Sequence, residues 1–590
     1  MRPSHLLALA LLASPLAAQE SLFLHIPDPK SKTRVEAVAL FSRAAPCGYL
    51  PVRITVNNAS EKDGAINLGT TSSDGRYGGE GSEMSSSFRL DAPAGKATVH
   101  DILVPCTTVL NFYGSGQQSI EFRLSGSFGS NSTSLTTSNS EEQPAVLLSE
   151  ALYTPNASSL DSAANSKLHS RYGGITFAGK FDPRQMPEDW RAYAGYDGLG
   201  MTDADWTSAS PGARNAMLRW NRLGGQLVIY AMSGSSDLAS LGISDEGKGV
   251  RSATRSFGEV TIIPVAADLK LDHAATVNRF SKRGLPPLSK SIQDDFGAGW
   301  PLKTAFGEQG YNYGLFIIIL IAFGILVGPV NLFVFAKSGR RHRLFITTPL
   351  IALGTSVILI ALIIGIDGFG GRGTRVALME VRPDGGENSA YVRQEQISRT
   401  GVLLGGDFKI TEPALITPVP LESTPWSRLT QNNQGGGMRY EFLLRDGTAE
   451  IDGDWFQSRS EQGQLVRAVI PTRGRIEARN QSGPPAFLSS FDFGITTLFY
   501  QDKDGGVWRA DNISPGKAFI CTASTVGDFK DFAKEAQDQF GTLNRMALKN
   551  LQNRTGHFLA VTDAAPGIET LPGIKWQQTL TYLTGPIAQP

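Results

Sequence analysis

The sequence predicts a multidomain, membrane-anchored protein that is rich in β-structure. Three observations predict this class: a length of 590 residues, a Gly-rich composition with many Ser, Thr and Asn turns, and two long apolar segments near the middle. The predicted units are a signal peptide at 1–19, a β-sandwich at 20–145, an α/β domain at 146–285, a linker at 286–312, transmembrane helices at 313–336 and 344–366 around a cytoplasmic turn at 337–343, and a β-rich exported domain at 367–590 with one long helix.

The first residues have the pattern of a secretory signal. Arg2 provides a positive start, an apolar run covers 6–13, and small residues precede an expected cleavage after Ala18 or Gln19. The apolar run is too short to cross a bilayer by itself. We therefore expect the chain to be exported.

Three cysteines bear on that expectation. Cys47 and Cys106 fall in the first β-rich region, and an exported pair is expected to oxidise. A bond between them would close a loop of about 59 residues and stabilise the fold by roughly 4 kcal/mol. The sequence leaves open whether this bond forms. Cys521 is expected to be a small buried residue.

Short alternating patterns in 20–145 predict a β-sandwich of immunoglobulin-like size. Polar and apolar residues alternate at 51–58, 88–90 and 120–124, with Ser- and Asn-rich connections between these segments. The next region differs, because apolar strands at 145–148, 174–178, 224–230 and 259–264 accompany a helical pattern at 211–221. Strands that alternate with helices predict a largely parallel α/β sheet.

Part of this α/β region resembles the class I glutamine-amidotransferase-like fold. The residues that carry the resemblance are 190–193, the strand through Asp197, and 214–220 leading into 224–229. This form of the fold is found in large, mostly uncharacterised bacterial membrane proteins. The resemblance implies the fold for this chain.

The enzymes of that fold use a cysteine nucleophile with a histidine base. The α/β region of this chain contains no cysteine, so His169 and His273 have no nucleophile to activate. The region also lacks a Gly-x-Ser-x-Gly elbow. The resemblance therefore implies a fold without its activity, and no catalytic residue is assigned.

Two uncharged apolar segments, 313–336 and 344–366, predict a membrane hairpin. Each has at least 20 residues, enough to cross about 30 Å of hydrocarbon as a helix. The turn between them, 337–343, carries four Lys or Arg residues, which marks the cytoplasmic side. Both large regions are then expected outside the inner membrane of a bacterium, on the periplasmic side.

Polar and helix-breaking residues interrupt the hairpin. The Gly-Pro-Val-Asn segment 328–331, the basic turn and Pro349 resemble the hairpins of the same bacterial membrane proteins. The Asn331 amide needs a partner in hydrocarbon, and Thr347 and Thr348 lie at a similar depth. We expect these groups to pack the two helices together; the alternative is that they dock another membrane protein.

The region after the hairpin predicts further strands, at 375–381 and 464–470, and one helix at about 528–552. We expect that helix to pack on its own sheet; the alternative is a partner-binding or membrane-surface helix. Segment 368–373 matches Gly-x-Gly-x-x-Gly, but it follows a membrane helix instead of a strand. It is therefore predicted to be a flexible exit linker, not a nucleotide site.

Metal, cofactor and nucleic-acid sites are not expected. The seven histidines are scattered, and Lys+Arg and Asp+Glu both number 55, which gives no basic footprint for nucleic acid. The acidic segments 502–505 and 451–454 are predicted to be turns, because neither has the remaining ligands of a calcium loop. Asp203 and Asp205 would serve a glycosidase only across a cleft.

These observations favour a non-enzymatic envelope protein that presents exported domains to protein or ligand partners, as a scaffold of a complex. Its expected partners are the lipid bilayer and other membrane or envelope proteins; the sequence does not identify a small-molecule ligand. The alternative is an envelope hydrolase that uses carboxylates or a serine in the α/β or C-terminal domain. A transporter is disfavoured, because two spans without buried charges make a poor pathway.

Overall fold

The structure is a computed structural model, and its described residues form five β-sheets, two long apolar helices and several shorter helices. The predicted signal peptide, 1–19, lies outside the described residues. The structure describes residues 20–27, 30, 32–75, 82–108, 116–140, 142–168, 174–234, 236–243, 249–281, 287–296, 299–307, 313–336, 338–384, 387–419, 421, 438–445, 448–479, 483–551 and 554–589.

Eight strands form the N-terminal region, and they divide between two sheets. The first sheet has the order β1-β2-β3-β6, and β4, β5, β7 and β8 belong to the second. The alternating segments predicted at 51–58, 88–90 and 120–124 lie in β3, β5 and β7. The strands are β1 Glu20–His25, β2 Arg34–Ala39, β3 Gly48–Asn58, β4 Gly64–Gly75, β5 Glu83–Ala92, β6 Lys96–Cys106, β7 Gly116–Gly126 and β8 Asn131–Asn139.

The next region contains a six-stranded sheet with the order β10-β9-β11-β12-β14-β13, in which only β13 runs antiparallel. Alternation of strands and helices thus gives the largely parallel sheet that it predicts. The strands are β9 Val146–Ser149, β10 Ala178–Phe181, β11 Gly198–Thr202, β12 Gln226–Ala231, β13 Ser252–Arg255 and β14 Gly258–Pro264, and the helices are α1 Glu150–Lys167, α2 Asp203–Ser208, α3 Pro211–Arg222 and α4 His273–Ser281, with 3₁₀ turns at Pro183–Gln185 and Trp190–Tyr193.

Two short helices, α5 Leu288–Asp294 and α6 Pro301–Phe306, lie within the predicted linker. The apolar hairpin follows. Its first arm starts as α7 Tyr313–Ile325 and continues with π-helical geometry over Leu326–Phe335, and its second arm is α8 Leu344–Asp367, after a 3₁₀ turn at Arg341–Arg343.

Asn331 joins the two arms of the hairpin. Its side-chain amide is buried, donates to Thr348 Oγ1 at 2.9 Å and accepts from Thr347 Oγ1 at 2.6 Å. The expectation that these groups pack the arms together is confirmed. Outward apolar side chains are open to the surroundings: Phe333 is 72% exposed and Phe345 is 85% exposed.

The region after the hairpin contributes all strands of a nine-stranded sheet and of a three-stranded sheet. The larger sheet has the order β18-β21-β16-β15-β29-β28-β24-β25-β27, and the smaller one has the order β22-β23-β26. The strands are β15 Gly371–Asp384, β16 Glu387–Thr400, β17 Phe408–Ile410, β18 Ala414–Val419, β19 Arg439–Arg445, β20 Thr448–Gly453, β21 Glu461–Pro471, β22 Ile476–Arg479, β23 Ala486–Ser489, β24 Ile495–Gln501, β25 Val507–Ile513, β26 Ala518–Ile520, β27 Thr522–Ser524, β28 His557–Thr562 and β29 Ile574–Pro586.

The Gly-rich segment after the hairpin is not a flexible linker, so that prediction is wrong. Gly371 and Gly373 lie in β15, which pairs with both β16 and β29. A Cβ atom on Gly373 would lie 2.5 Å from the ring of Trp576. The missing side chain therefore lets the indole pack against the strand.

The single long helix predicted at 528–552 is also wrong, because two helices occupy this segment. They are α9 Val526–Asp538 and α10 Thr542–Leu551. The buried Glu395 carboxylate accepts hydrogen bonds from the backbone N–H of Gly541 at 3.2 Å and from the Asn544 amide at 2.7 Å. This long-range contact satisfies the backbone N–H of Gly541, the residue before α10, at the break between the two helices.

Strands from both ends of the chain share one sheet. The order β17-β20-β19-β5-β4-β7-β8 joins three strands that follow the hairpin to four that precede it. The joint is a parallel pairing of β19 with β5, from Arg439 opposite Glu83 to Phe442 opposite Ser86. The Phe442 ring also meets the ring of Tyr49 at a centroid distance of 5.7 Å. The N-terminal strands therefore form their second sheet together with C-terminal ones.

All three cysteines are buried free thiols. Cys106 pairs with Gly48 across β6 and β3, so Cys47 and Cys106 are neighbours without being bonded to each other. The Cys106 thiol contacts the Val104 carbonyl oxygen at 3.7 Å. Burial raises the pKa of Cys47 to about 12. Cys521 is buried, as predicted.

A charged cluster connects the nine-stranded sheet to the edge of the α/β sheet. The buried Glu380 carboxylate pairs with Arg382 and lies 3.7 Å from Arg554, which donates to the Ser256 carbonyl at 2.9 Å. Burial opposes the charge of Glu380, but the two guanidinium groups prevail and lower its pKa. His557 accepts from Arg382 at its Nε2, 2.9 Å away, and its Nδ1 donates to Thr555 O at 3.0 Å, which requires the neutral ring.

Acid is expected to destabilise the fold through His557. Burial, together with the charge of Arg382, lowers the pKa of His557 below its ordinary 6.5. The folded chain therefore binds a proton at His557 less readily than the unfolded chain does. The stability that neutral His557 contributes is present above pH 6.5 and is lost as the pH falls toward the pKa of the folded state. The melting temperature of the detergent-solubilised chain should fall from pH 7.5 to 5.5, and His557→Gln should reduce that fall.

His342→Gln is the matched control, since His342 is exposed in the turn of the hairpin. This variant should keep the full pH dependence of the melting temperature. An identical fall with pH in His557→Gln and the unaltered chain would contradict the assignment.

Candidate binding groove

A groove with a volume of about 640 Å³ opens where the first N-terminal sheet, the α/β region and the C-terminal region meet. Its N-terminal wall is built from β3 and β6, and its opposite wall from the segment that contains both 3₁₀ turns. The start and last turns of α3 and two C-terminal residues, Pro413 and Val469, complete it. The groove is thus shared by three regions of the chain.

Local capping positions the α/β wall of the groove. Asp182 accepts from the Arg184 N–H at 3.0 Å and starts the first 3₁₀ turn, and Asp189 accepts from the Arg191 N–H at 2.9 Å and starts the second. Ser210 caps α3 by accepting from Ala213 N–H at 3.1 Å. These short-range signals make the backbone of the wall a series of defined turns.

Four arginines and three carboxylates line the groove. Arg53 forms a two-pronged ion pair with Asp101, at 2.7 and 2.8 Å, and reaches across to the Gln185 side chain at 3.0 Å. That last contact joins the N-terminal sheet to the α/β wall. On the wall itself, Arg191 pairs with Asp189 at 2.6 Å.

An aromatic side chain lies beneath these charges. Trp190 is buried, and its indole Nε1 has no hydrogen-bond partner in the described structure. A buried donor without a partner costs about 1–3 kcal/mol. Arg184 lies on the exposed rim beside it.

The Ser210 hydroxyl in the groove wall is engaged by two neighbours. Ser210 donates to Glu188 at 2.7 Å, but the same oxygen caps α3, and no histidine is among the groove residues. Paired guanidinium and carboxylate groups around an indole can bind a polar segment of another protein. In such binding, the charged groups of the groove form ion pairs with the bound segment instead of with each other.

The other candidate residues named in the sequence analysis do not form a site in the described structure. His169 lies outside the described residues, and His273 contacts the Asn156 side chain at 3.1 Å at the start of α4. Asp205 closes a capping box with Thr202, and Asp203 accepts from Ser236 at 3.1 Å. The two carboxylates thus lie two residues apart in the first turn of one short helix and do not face each other across a cleft.

The acidic segment 502–505 lies in a turn, as predicted, whereas 451–453 form the end of β20, so the turn predicted at 451–454 is wrong. Asp502 accepts from the backbone N–H groups of Asp504 and Gly506 and from the Trp508 indole, at 2.6–3.0 Å. Asp454 accepts from the Arg439 backbone N–H at 2.7 Å at the end of β20. Within the described residues, no group of three or more His, Cys, Asp or Glu side chains is placed to hold a metal ion.

Sequence reasoning missed the groove because its residues are far apart in the chain. Arg53 and Asp101 belong to different strands, and the wall from 184 to 191 is read as an ordinary loop. The one usable signal is the Pro-Glu-Asp-Trp-Arg run at 187–191, in which a tryptophan lies between charges. Such a run indicates an exposed recognition segment only when its neighbours in space are known.

No protein-family model matches the sequence, and comparison with curated proteins gives no significant match. Among solved structures, a Paenibacillus sp. cycloisomaltooligosaccharide glucanotransferase complexed with cycloisomaltoheptaose is 13% identical, with a TM-score of 0.16, over 33% of this chain and 27% of that one. The yeast delta-COP-I mu-homology domain complexed with a Dsl1 WxWxV peptide is 11% identical, with a TM-score of 0.15, over 37% of this chain and 96% of that one. TM-scores this low carry no information on function.

Proposed function

We propose that this chain is a non-enzymatic, membrane-anchored envelope protein that presents exported domains to partner proteins and serves as a scaffold of an envelope complex. The observation that carries the proposal is the combination of a small apolar hairpin with a large body of sheets. A hairpin whose side chains face outward needs hydrocarbon around it, and the body offers a charged groove for a partner.

The hairpin supports anchoring through its composition and its internal bonding. Apolar helical stretches of 19 and 22 residues, Ile317–Phe335 and Arg341–Leu362, are long enough to cross a bilayer. The Asn331 amide, the one strongly polar side chain in the middle of the first arm, is satisfied by threonines of the second arm. Such pairing is the usual solution for polar groups in hydrocarbon.

The charge of the turn supports the orientation. Arg340, Arg341 and Arg343 are exposed between the two arms, and Lys337 precedes them in the sequence. A short, strongly positive loop is retained on the cytoplasmic side of a bacterial inner membrane. The groove and all five sheets would then lie on the periplasmic side.

The packing of the body supports a scaffold more than a chain of independent modules. One continuous apolar core includes residues of the N-terminal sheets, the α/β sheet and the C-terminal sheet, among them Val52, Met217 and Leu378. A continuous core holds the groove walls in a fixed geometry, which lowers the entropic cost of binding a partner.

The test is site-specific crosslinking in native membranes. A photo-reactive amino acid replaces Arg184 on the rim of the groove, the membranes are irradiated, and adducts are identified by mass spectrometry. We expect one or a few envelope or membrane proteins to be captured reproducibly. The expected yield is at least about tenfold above that from a control position, since contact requires the groove.

The matched control is the same substitution at Arg89, an exposed residue of β5 on the second N-terminal sheet. It reports adducts formed by collision alone. Equal adduct patterns from the two positions, or no adducts above background from Arg184, would contradict a scaffold that binds through this groove.

A further inference from the structure

A second, much smaller cavity lies at the amino ends of the parallel strands of the α/β sheet. Its walls come from the amino ends of β11 and β12, the end of α3, residue Leu288 of the linker, α10, and strands β16 and β21. Its volume is about 50 Å³, room for a few water molecules or one small anion. Three regions of the chain therefore meet around one small, partly open cavity.

Two arginines line this cavity from neighbouring strands. Arg393 of β16 lies directly opposite Arg467 of β21, so their side chains leave the sheet on the same face, with Cβ atoms about 4.5–5.5 Å apart. Arg393 is only 8% exposed, and its guanidinium lies over the Phe257 ring at 5.2 Å. Like charges directly opposite each other destabilise a sheet, and burial increases that cost.

The described part of the chain gives Arg393 neither a hydrogen bond nor an ion pair. Arg467 donates one hydrogen bond, to the Ala194 carbonyl oxygen at 2.9 Å. Burial and the charge of Arg467 lower the pKa of Arg393 to about 9, which leaves the guanidinium charged at neutral pH. The charge of Glu395 partly offsets the lowering of the Arg393 pKa, and the charge of Asp197 does so for Arg467, but neither arginine has a direct ion pair in the described structure. Buried charges in proteins are normally paired directly, so the pair has room for a further counter-charge.

The two nearby carboxylates are committed to other donors. Asp197 accepts from the backbone N–H groups of Ala145 and Leu288, at 2.8 and 2.9 Å. Glu395 accepts from the Trp300 indole at 2.7 Å, in addition to its two contacts with α10. Neither carboxylate forms an ion pair with Arg393 or Arg467.

We propose that this cavity is a binding site for one small tetrahedral oxyanion, phosphate or sulfate, held between the guanidinium groups of Arg393 and Arg467. Guanidinium donors match the oxygens of such anions in geometry as well as in charge. The bound anion would neutralise the pair and connect the α/β region, through Arg467, to the C-terminal sheet.

The test is direct binding to the detergent-solubilised full chain. Equilibrium dialysis with radiolabelled inorganic phosphate should show saturable binding of about one anion per chain, and competition by sulfate should separate a general oxyanion site from one specific for phosphate. Arg393→Met should lower the affinity at least about tenfold, because it removes one of the two guanidinium groups. Arg89→Met, an exposed arginine, should bind as the unaltered chain does.

Thermal denaturation gives the second measurement. At constant ionic strength, replacing chloride by 10 mM phosphate should raise the melting temperature of the unaltered chain by about 2 °C or more, and should leave Arg393→Met unchanged. In chloride alone, Arg393→Met should be at least as stable as the unaltered chain, since it removes an unpaired buried charge. Absence of saturable binding by the unaltered chain, or equal binding by a folded Arg393→Met variant, would overturn the proposal.

Discussion

Replacing Glu395 by alanine is expected to lower the free energy of unfolding by about 3 kcal/mol or more. The Glu395 carboxylate accepts hydrogen bonds from the Trp300 indole, the Gly541 backbone and the Asn544 side chain, and all of these donors are buried with it. Burial raises the pKa of this carboxyl, and the hydrogen bonds oppose that shift. Its removal leaves three donors unsatisfied, each at a cost of about 1–3 kcal/mol.

Two readouts distinguish this effect from a general loss of stability. Chemical denaturation of the detergent-solubilised chain measures the free energy, and hydrogen exchange of 299–307 measures whether the linker next to the hairpin has come loose. Trp300→Phe removes only one donor and should cost about 1 kcal/mol, while Glu61→Ala, at an exposed position, should change nothing. Unchanged exchange at 299–307 in Glu395→Ala would refute the role of Glu395 as the anchor of this linker.

Gly195→Ala is the second substitution with a large expected effect, about 3 kcal/mol of destabilisation. A Cβ atom on Gly195 would lie 1.9 Å from the Cys47 carbonyl oxygen and 2.7 Å from the Ala45 Cβ. Because one of these neighbours is backbone, the segments at 45–47 and 194–196 must move apart. The adjacent hydrogen bond from Tyr196 to the Arg43 carbonyl, 2.6 Å long, would be strained by the same movement.

The control is Gly234→Ala, since a Cβ atom on Gly234 meets nothing within 4 Å. This variant should unfold within about 0.5 kcal/mol of the unaltered chain. Denaturation curves followed by tryptophan fluorescence compare both variants. If Gly195→Ala unfolds together with Gly234→Ala, the N-terminal sheet and the α/β region do not pack through this glycine.

Much of the local structure could be predicted from the sequence, because local periodicity and capping determine it. The alternation at 51–58 lies in β3, and the helix from Pro211 starts at its Ser210 cap. Pairing between distant strands has no such local signal. The parallel pairing of β5 with β19 depends on which sheet edges remain open after both regions fold. The residue pattern of either strand does not indicate which strand it pairs with.

Buried charged residues could not be recognised from the sequence, because their pattern is that of a solvent-exposed strand. Strand β16 contains Arg393 and Glu395 amid glutamines, a pattern typical of a solvated strand, yet both of its faces are buried. Their partners come from the linker and from α10, which only the tertiary fold brings near. For the same reason the break at Gly541 was not predicted, since its backbone N–H is bound by a carboxylate about 150 residues away.

The sheet that contains both β5 and β19 cannot form completely until the C-terminal strands have been synthesised. About 350 residues separate β5 from β19, so at about 5–20 residues per second roughly 20 to 70 s pass between the synthesis of the two strands. During that interval one edge of β5 presents unpaired N–H and C=O groups, the groups through which nascent chains aggregate. A shortened chain that ends after the hairpin would keep this edge permanently, so a late stop codon would damage the earliest-made sheet.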